Sequence, residues 1–292
     1  MYRMVFDKSH RKIHYVPWYY PWYAGSTHGV MDQIQFTTGG KLMKDFSGRV
    51  AIITGASSGI GRATAMRFAD EGASVIVADI DVDGGKETVD RIVQDGGEAT
   101  FVETDVSDED DVREMVDTAV ETYGSLDFAH NNAGFGGDPT AITETETDHW
   151  ERVIDVNLKG TWFGMKHELP AIEESNGAII NTASLAGLTG GDPEMTPYNA
   201  SKHGVVGITR TVALEYAPEE IRVNAVCPAA TNTPAIAAAP QEKQDEWIRP
   251  IPMNRLIEPE EIASAVMWLC SDEASAITGH ALPLDGGQFV SH

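Results

Sequence analysis

The run Thr54-Gly55-Ala56-Ser57-Ser58-Gly59-Ile60-Gly61 constrains the fold of this chain more than any other stretch. It follows a short apolar, β-branched segment (50–54) and opens a segment with helical spacing (59–71). Glycine here lets a strand turn sharply into a helix and lets backbone approach a bound group closely. The first turn of the helix offers unpaired N–H groups to an anion such as a pyrophosphate. A strand, a tight glycine turn and a helix in this order form the start of a βαβ unit, which implies a parallel sheet.

The remainder of the chain repeats that alternation. Further strands are expected at 74–78, 100–103, 126–130, 178–181, 222–226 and 281–284. Helices are expected at 84–94, 108–123, 146–168, 198–216 and 259–269. Right-handed crossovers between such strands give a doubly wound α/β domain of the Rossmann type. The strands are short, continuous apolar runs, as befits a sheet covered on both faces. The expected architecture is one domain over 45–292, with about seven mostly parallel strands and helices on both sides.

Residues 1–44 differ in kind. They hold the cluster Trp18-Tyr19-Tyr20-Pro21-Trp22-Tyr23, three histidines and no sustained periodicity. They lack the apolar stretch and small-residue cleavage site of a signal peptide. They read as a disordered extension, or as sequence ahead of a later start at Met31 or Met43; the alternative is an arm that packs on a partner subunit.

Charge narrows the function classes. The chain carries 21 Lys+Arg against 45 Asp+Glu, a formal net charge of -24. Residues 1–44 contribute +4, so the rest stands at -28, with only Lys86, Lys159, Lys166, Lys202 and Lys243 as lysines. A surface this acidic repels phosphate backbones and argues against nucleic-acid binding. Cys227 and Cys270 make no disulfide framework, and no Cys/His spacing suggests a metal. No apolar run is long enough to span a membrane. The expectation is a cytoplasmic protein without membrane or nucleic-acid partners.

Asp79 ends the second strand of the alternating region, 24 residues after Gly55. A carboxylate there accepts hydrogen bonds from both adenosine-ribose hydroxyls and repels a 2′-phosphate, so NAD is expected over NADP. Tyr198 and Lys202 lie four apart on an expected helix and share a face. A phenol with a pKa of about 10 is a poor base at neutral pH. A nearby ammonium and an oxidised nicotinamide both favour its ionised form. Tyr198 can then exchange a proton with a substrate hydroxyl. Ser184 follows the fifth strand and can stabilise a developing alkoxide, although a turn or cap serine would look the same. Asn157 sits in mid-helix against its propensity, so it needs either solvent or a role.

These motifs, with Asp105-Val106, Asn131-Asn132-Ala133-Gly134 and Tyr198-Asn199-Ala200-Ser201-Lys202, resemble the short-chain dehydrogenase/reductase family in its compact branch. The likeness runs from about Phe46 to Phe289. It implies a nicotinamide cofactor cradled by Gly55, Ser57, Ser58, Gly59, Ile60 and Gly61. It places Asp105 and the Val106 backbone at the adenine, and Asn132, Ala133 and Gly134 beside the adenine ribose and central sheet. It assigns Asn157 to a helix kink and a water-linked proton relay, and Lys202 also to the nicotinamide ribose. Pro228, the Thr231 backbone and Thr233 fall to the nicotinamide side. It further implies a homotetramer and a mobile lid over 234–252.

Two departures stand out. Ser184 and Tyr198 are 14 residues apart, one more than is common in the family, with Gly190-Gly191-Asp192-Pro193 expected to absorb the excess. Ala229 replaces a usual glycine and would be strained if φ were positive there. Trp247, Ile248 and Met253 are candidates for the pocket or for plain packing; Phe135 is undecided and His149 is expected to be structural. The leading expectation is NAD-linked oxidation of a secondary alcohol. Alternatives are an NADPH-dependent 3-oxoacyl reductase and a non-catalytic NAD-binding sensor or scaffold.

High acid with little lysine is also the composition of proteins kept soluble in concentrated salt, where ions screen self-repulsion. The melting temperature and activity should both rise between dilute buffer and molar KCl. Identical values in the two conditions contradict a halophilic origin.

Overall fold

A computed structural model describes residues 46–172 and 177–291 in full, together with the backbone of two strands near the N-terminus. The chain divides into units 1–43 and 44–292. In the first, β1 (Tyr2–Asp7) pairs antiparallel with β2 (Lys12–Pro17), Tyr2 opposite Pro17. The aromatic cluster and the alternative starts lie outside the described residues.

The second unit alternates as expected. Its strands are β3 (Val50–Thr54), β4 (Ser74–Asp79), β5 (Glu98–Glu103), β6 (Phe128–Asn131), β7 (Ala178–Thr182), β8 (Arg222–Pro228) and β9 (Ala281–Leu284). Its helices are α1 (Gly59–Asp70), α2 (Val82–Gln94), α3 (Glu109–Tyr123), α4 (Thr147–Ile154), α5 (Gly160–Ile172), α6 (Thr196–Tyr216), α7 (Pro234–Ala237), α8 (Gln241–Ile248) and α9 (Pro259–Cys270). The seven strands form one parallel sheet in the order β5-β4-β3-β6-β7-β8-β9. The order reverses between β3 and β6, which leaves a crevice at their carboxyl ends.

Period-two alternation sends each strand into two cores. Ala51, Ile53, Val75 and Val77 pack under α1, α2 and α9 with Phe68, Ile92, Ile262 and Val266. Val50, Ile52 and Ile76 pack under α3, α5 and α6 with Val112, Met115, Leu169 and Ala213. Helix ends follow their sequence. Asp108 caps α3 by accepting from the Asp110 N–H at 2.8 Å, and Gly124, at φ 87°, ends that helix in the left-handed region. A capping box between Glu258 and Glu261 starts α9.

The expected single helix over 146–168 is three pieces. Residues 155–159 form a π-helical turn between α4 and α5. Helix α5 then continues through Pro170 to Ile172, past its expected end. The ring removes one hydrogen bond in the last turn, while Leu169 and Ile172 stay anchored in the core.

A polar layer lies within the apolar core behind the crevice. Asn131 donates to Glu168 Oε2 at 2.9 Å and to Asn181 Oδ1 at 3.1 Å, and Asn181 donates to Thr209 at 2.9 Å. Glu168 is fully buried, and its Oε1 has no hydrogen-bond partner among the described residues. Burial pushes its carboxyl up to about 8, with the Asn131 bond opposing. The folded protein therefore keeps a proton that the unfolded chain, near 4.5, releases. Its contribution to stability is whole below pH 4.5 and is lost progressively up to about pH 8. Glu168→Gln keeps an acceptor for Asn131 and removes the ionisation. Its Tm relative to wild type should rise by several degrees between about pH 5 and pH 8. A difference independent of pH contradicts a buried neutral acid.

Candidate active site

The glycine turn closes against the strand beside it. Gly55 has φ +64°, and a Cβ there would lie 2.9 Å from Ala133 Cα; one at Gly61 would lie 2.1 Å from the Gly55 carbonyl. The turn is thus a cradle that only glycine backbone can form. Ser58 begins α1 without a side-chain capping bond, which leaves the helix N-terminus open to an anion. Thr54 Oγ1 accepts from Asn132 N (2.9 Å) and Ala133 N (3.0 Å). Asn132 Nδ2 donates back to the Thr54 carbonyl at 3.1 Å. Asn132 and Ala133 therefore brace the turn.

Asp79 stands at the end of β4, where its carboxylate accepts from Ser57 N (2.8 Å) and Asp81 N (2.9 Å). Asp105 Oδ1 accepts from the amide and hydroxyl of Ser107, and Val106 is buried against Gly160. Ile60 is half-buried against the core. Pro228 ends β8 opposite Leu284. Thr231 bridges to Ile257, and Thr233 lies against Gly59, so the segment after β8 crosses the glycine turn. The cradle, the open helix end and the lone carboxylate at a strand end fit a dinucleotide.

The four expected catalytic residues come together at the carboxyl edge of β7. Ser184 follows that strand and starts a short 3₁₀ turn; its Oγ accepts from Ala186 N at 3.1 Å and hydrogen-bonds the Tyr198 phenol. It is both a turn serine and a neighbour of the phenol. Lys202 is 4% exposed, donates to the Thr182 carbonyl at 2.8 Å and lies 5.7 Å from the centre of the Tyr198 ring. Asn157 is central to the π turn, with no exposed surface. Its amide holds Phe135 both ways: Phe135 N donates to Oδ1 and Nδ2 donates to the Phe135 carbonyl, each at 2.9 Å. Nδ2 also reaches Ser201 Oγ at 3.2 Å, and the Asn157 carbonyl accepts from Thr161 at 2.8 Å. A Cβ on Gly134 would press on Asn157 and lie 3.4 Å from Lys202 Nζ.

The electrostatics correct one expectation. In the chain by itself burial pushes the Tyr198 phenol up, the Ser184 bond pulls it back, and Asp192 adds to the rise. The Lys202 ammonium beside the ring donates to the Thr182 carbonyl, and burial brings its own pKa down to about 8. A second correction concerns Ala229, which does not have positive φ and so is unstrained. The extra residue before Tyr198 is absorbed as expected, with Gly191 at φ +68° against the Asn199 side chain.

The expected lid contains α7 and α8, with Lys243 over the half-buried Trp247. Met253 is exposed. Phe135 has Arg152 over its ring at 5.2 Å, and His149 packs on Gly137.

Sequence reasoning missed a second layer. Thr182 donates to Asn132 Oδ1 at 3.2 Å, so His130 Nε2, 2.8 Å from the same hydroxyl, must be the donor. Burial lowers His130 to about 3, which keeps it neutral. Cys227 is buried beside Ser184, its thiol pushed up to about 12 and unreactive. The signal was available: polar residues within apolar strands, His130-Asn131 and Asn181-Thr182.

A family model described as enoyl-(acyl carrier protein) reductase matches residues 55–288. The chain belongs to the short-chain dehydrogenase/reductase family. Cyclohexanol dehydrogenase of Acinetobacter sp. is 43% identical over 248 residues, 84% of this chain and 97% of that one. Levodione reductase superposes with a TM-score of 0.81 at 35% identity, covering 85% and 100% of the two chains. A 3-ketoacyl-(acyl-carrier-protein) reductase from Brucella melitensis, complexed with NADH, superposes with a TM-score of 0.78 at 37% identity, covering 83% and 99%. The chain is thus an oxidoreductase of this family, which binds a nicotinamide cofactor. Among the described residues no helix is long and apolar enough to cross a membrane, and no group of His, Cys, Asp or Glu could hold a metal.

Proposed function

We propose that the chain is an NAD-dependent dehydrogenase that interconverts a cyclic secondary alcohol and its ketone. The observation that carries this reading is the meeting of Ser184, Tyr198, Lys202 and Asn157 beside the glycine cradle. When bound, the nicotinamide supplies the hydride acceptor or donor and, oxidised, a positive charge near the phenol. The chain's residues do the rest. In reduction the Tyr198 phenol gives its proton to the carbonyl oxygen; in oxidation it would act as the phenolate, favoured by the Lys202 ammonium and the positive charge of an oxidised nicotinamide, and take the hydroxyl proton. Ser184 donates to the same oxygen and stabilises its developing charge. Lys202 holds the ribose edge and, with Asn157 behind it, returns the proton towards solvent.

Asp79 supports NAD. Its carboxylate already gathers two backbone N–H groups at the ribose end, and a 2′-phosphate would meet like charge there. The likeness to cyclohexanol dehydrogenase supports a cyclic alcohol. A 3-oxoacyl substrate on a phosphate-bearing carrier is disfavoured by the charge of -28 over 45–292. We also propose a homotetramer; Trp150 on α4, Trp162 on α5 and Leu214 on α6 are exposed apolar side chains that a partner subunit could cover.

Initial rates of nicotinamide reduction with cyclohexanol test the reading. The expected kcat/KM for NAD exceeds that for NADP by at least about 100-fold, as a carboxylate against a phosphate requires. Equal values overturn the cofactor assignment. Failure to oxidise cyclohexanol and other cyclic alcohols, despite NADH binding, favours the sensor or scaffold.

A further inference from the structure

The interval between Ser184 and Tyr198 forms a clamped shelf beside the catalytic phenol. Thr189 Oγ1 donates to the Leu185 carbonyl at 3.1 Å and accepts from Gly191 N at 3.2 Å. Asn199 Nδ2 donates to the Asp192 carbonyl at 3.0 Å, which ties Asp192 to the first turn of α6, next to Tyr198. Glu194, at φ 65°, accepts at its carbonyl from Thr140 N at 2.8 Å, and Met195 Cε lies 3.5 Å from a Cβ position on Gly136. The shelf is therefore joined to the loop after β6, and the two flank Tyr198.

Asp192 and Glu194 are exposed on this shelf, and neither is neutralised by an ion pair among the described residues. Nearby cations are engaged elsewhere: Lys202 on the Thr182 carbonyl and Arg152 over the Phe135 ring. The negative charge of Asp192 is felt at the phenol itself, where it opposes ionisation. A substrate whose oxygen reaches Tyr198 enters that same field.

We propose that Asp192 is a specificity-determining residue that discriminates against alcohols bearing a negative charge, so that the substrate class is neutral. The proposal rests on the alcohol dehydrogenase reading given above. It follows from position: the Asp192 backbone is tied to the first turn of α6 beside Tyr198, so its exposed carboxylate sits on the rim, where it repels a second carboxylate near the reacting carbon and leaves an uncharged ring alone.

The test compares cis-4-hydroxycyclohexanecarboxylate with its methyl ester, which has the same ring and reacting carbon without the charge. Rates are read with NAD at the lowest salt that retains activity. The ratio of kcat/KM for ester over acid should be about 30 in the wild type and about 3 in Asp192→Asn, while Asp192→Glu keeps the higher value. Added KCl should lower the wild-type ratio, because an exposed carboxylate is screened, and this arm needs no variant. A ratio near 1 in the wild type, or one unmoved by Asp192→Asn and by salt, overturns the proposal and leaves the dehydrogenase reading standing. No oxidation of either compound overturns both.

Discussion

A lysine ammonium buried at the carboxyl edge of a parallel sheet is the most demanding group in this protein. Lys202 is almost wholly out of water, and an unpaired charge there would be costly. It is held by a main-chain carbonyl rather than a carboxylate, through its bond to Thr182. A carboxylate partner would have fixed the charge but neutralised its field. A carbonyl keeps the ammonium in place while burial brings its pKa to about 8, so it remains largely charged at neutral pH.

Much of the surrounding polar structure serves Thr182 and its neighbours. The Thr182 hydroxyl runs to Asn132, and Asn132 runs to the Thr54 carbonyl at the glycine turn. Thr182 and Asn132 together thus link Lys202 to the glycine turn. His130 completes the chain from behind as a neutral donor. On the other side, the π turn at Asn157 aims an amide at both backbone groups of Phe135, which fixes the exit from β6. Irregular helix turns of this kind concentrate at functional sites, where a regular spacing would aim the side chain elsewhere. Phe46 packs edge-on against Phe128 and Phe68 at centroid distances of 5.2 and 5.7 Å, and Phe68 and Phe128 lie tilted at 5.8 Å, in the core under α1 and α9.

The fold was legible because its signals are local. Apolar β-branched runs such as 74–79, the glycine turn after Thr54, and the helical spacing of 109–123 each declare themselves within a dozen residues. Tyr198 and Lys202 were legible for the same reason, being one helical turn apart. What escaped depends on distant partners. Glu168 reads as an ordinary solvated acid until Asn131, 37 residues away, is brought beside it. The π turn needs the Phe135 backbone, 22 residues from Asn157, to explain it. The expected lowering of the Tyr198 phenol counted the Lys202 ammonium and an oxidised nicotinamide but not burial, which in the chain by itself pushes the phenol up. Ala229 is unstrained because the backbone there never enters the left-handed region that glycine would permit.

The account stands or falls on proton transfer at one phenol. Tyr198→Phe removes a single oxygen from a ring already packed beside Lys202. Single-turnover oxidation of cyclohexanol, with NADH binding followed by fluorescence on the same sample, measures the step directly. The account predicts a fall of at least about 100-fold in rate with dinucleotide affinity within about twofold of wild type. An undiminished rate in that variant would contradict it.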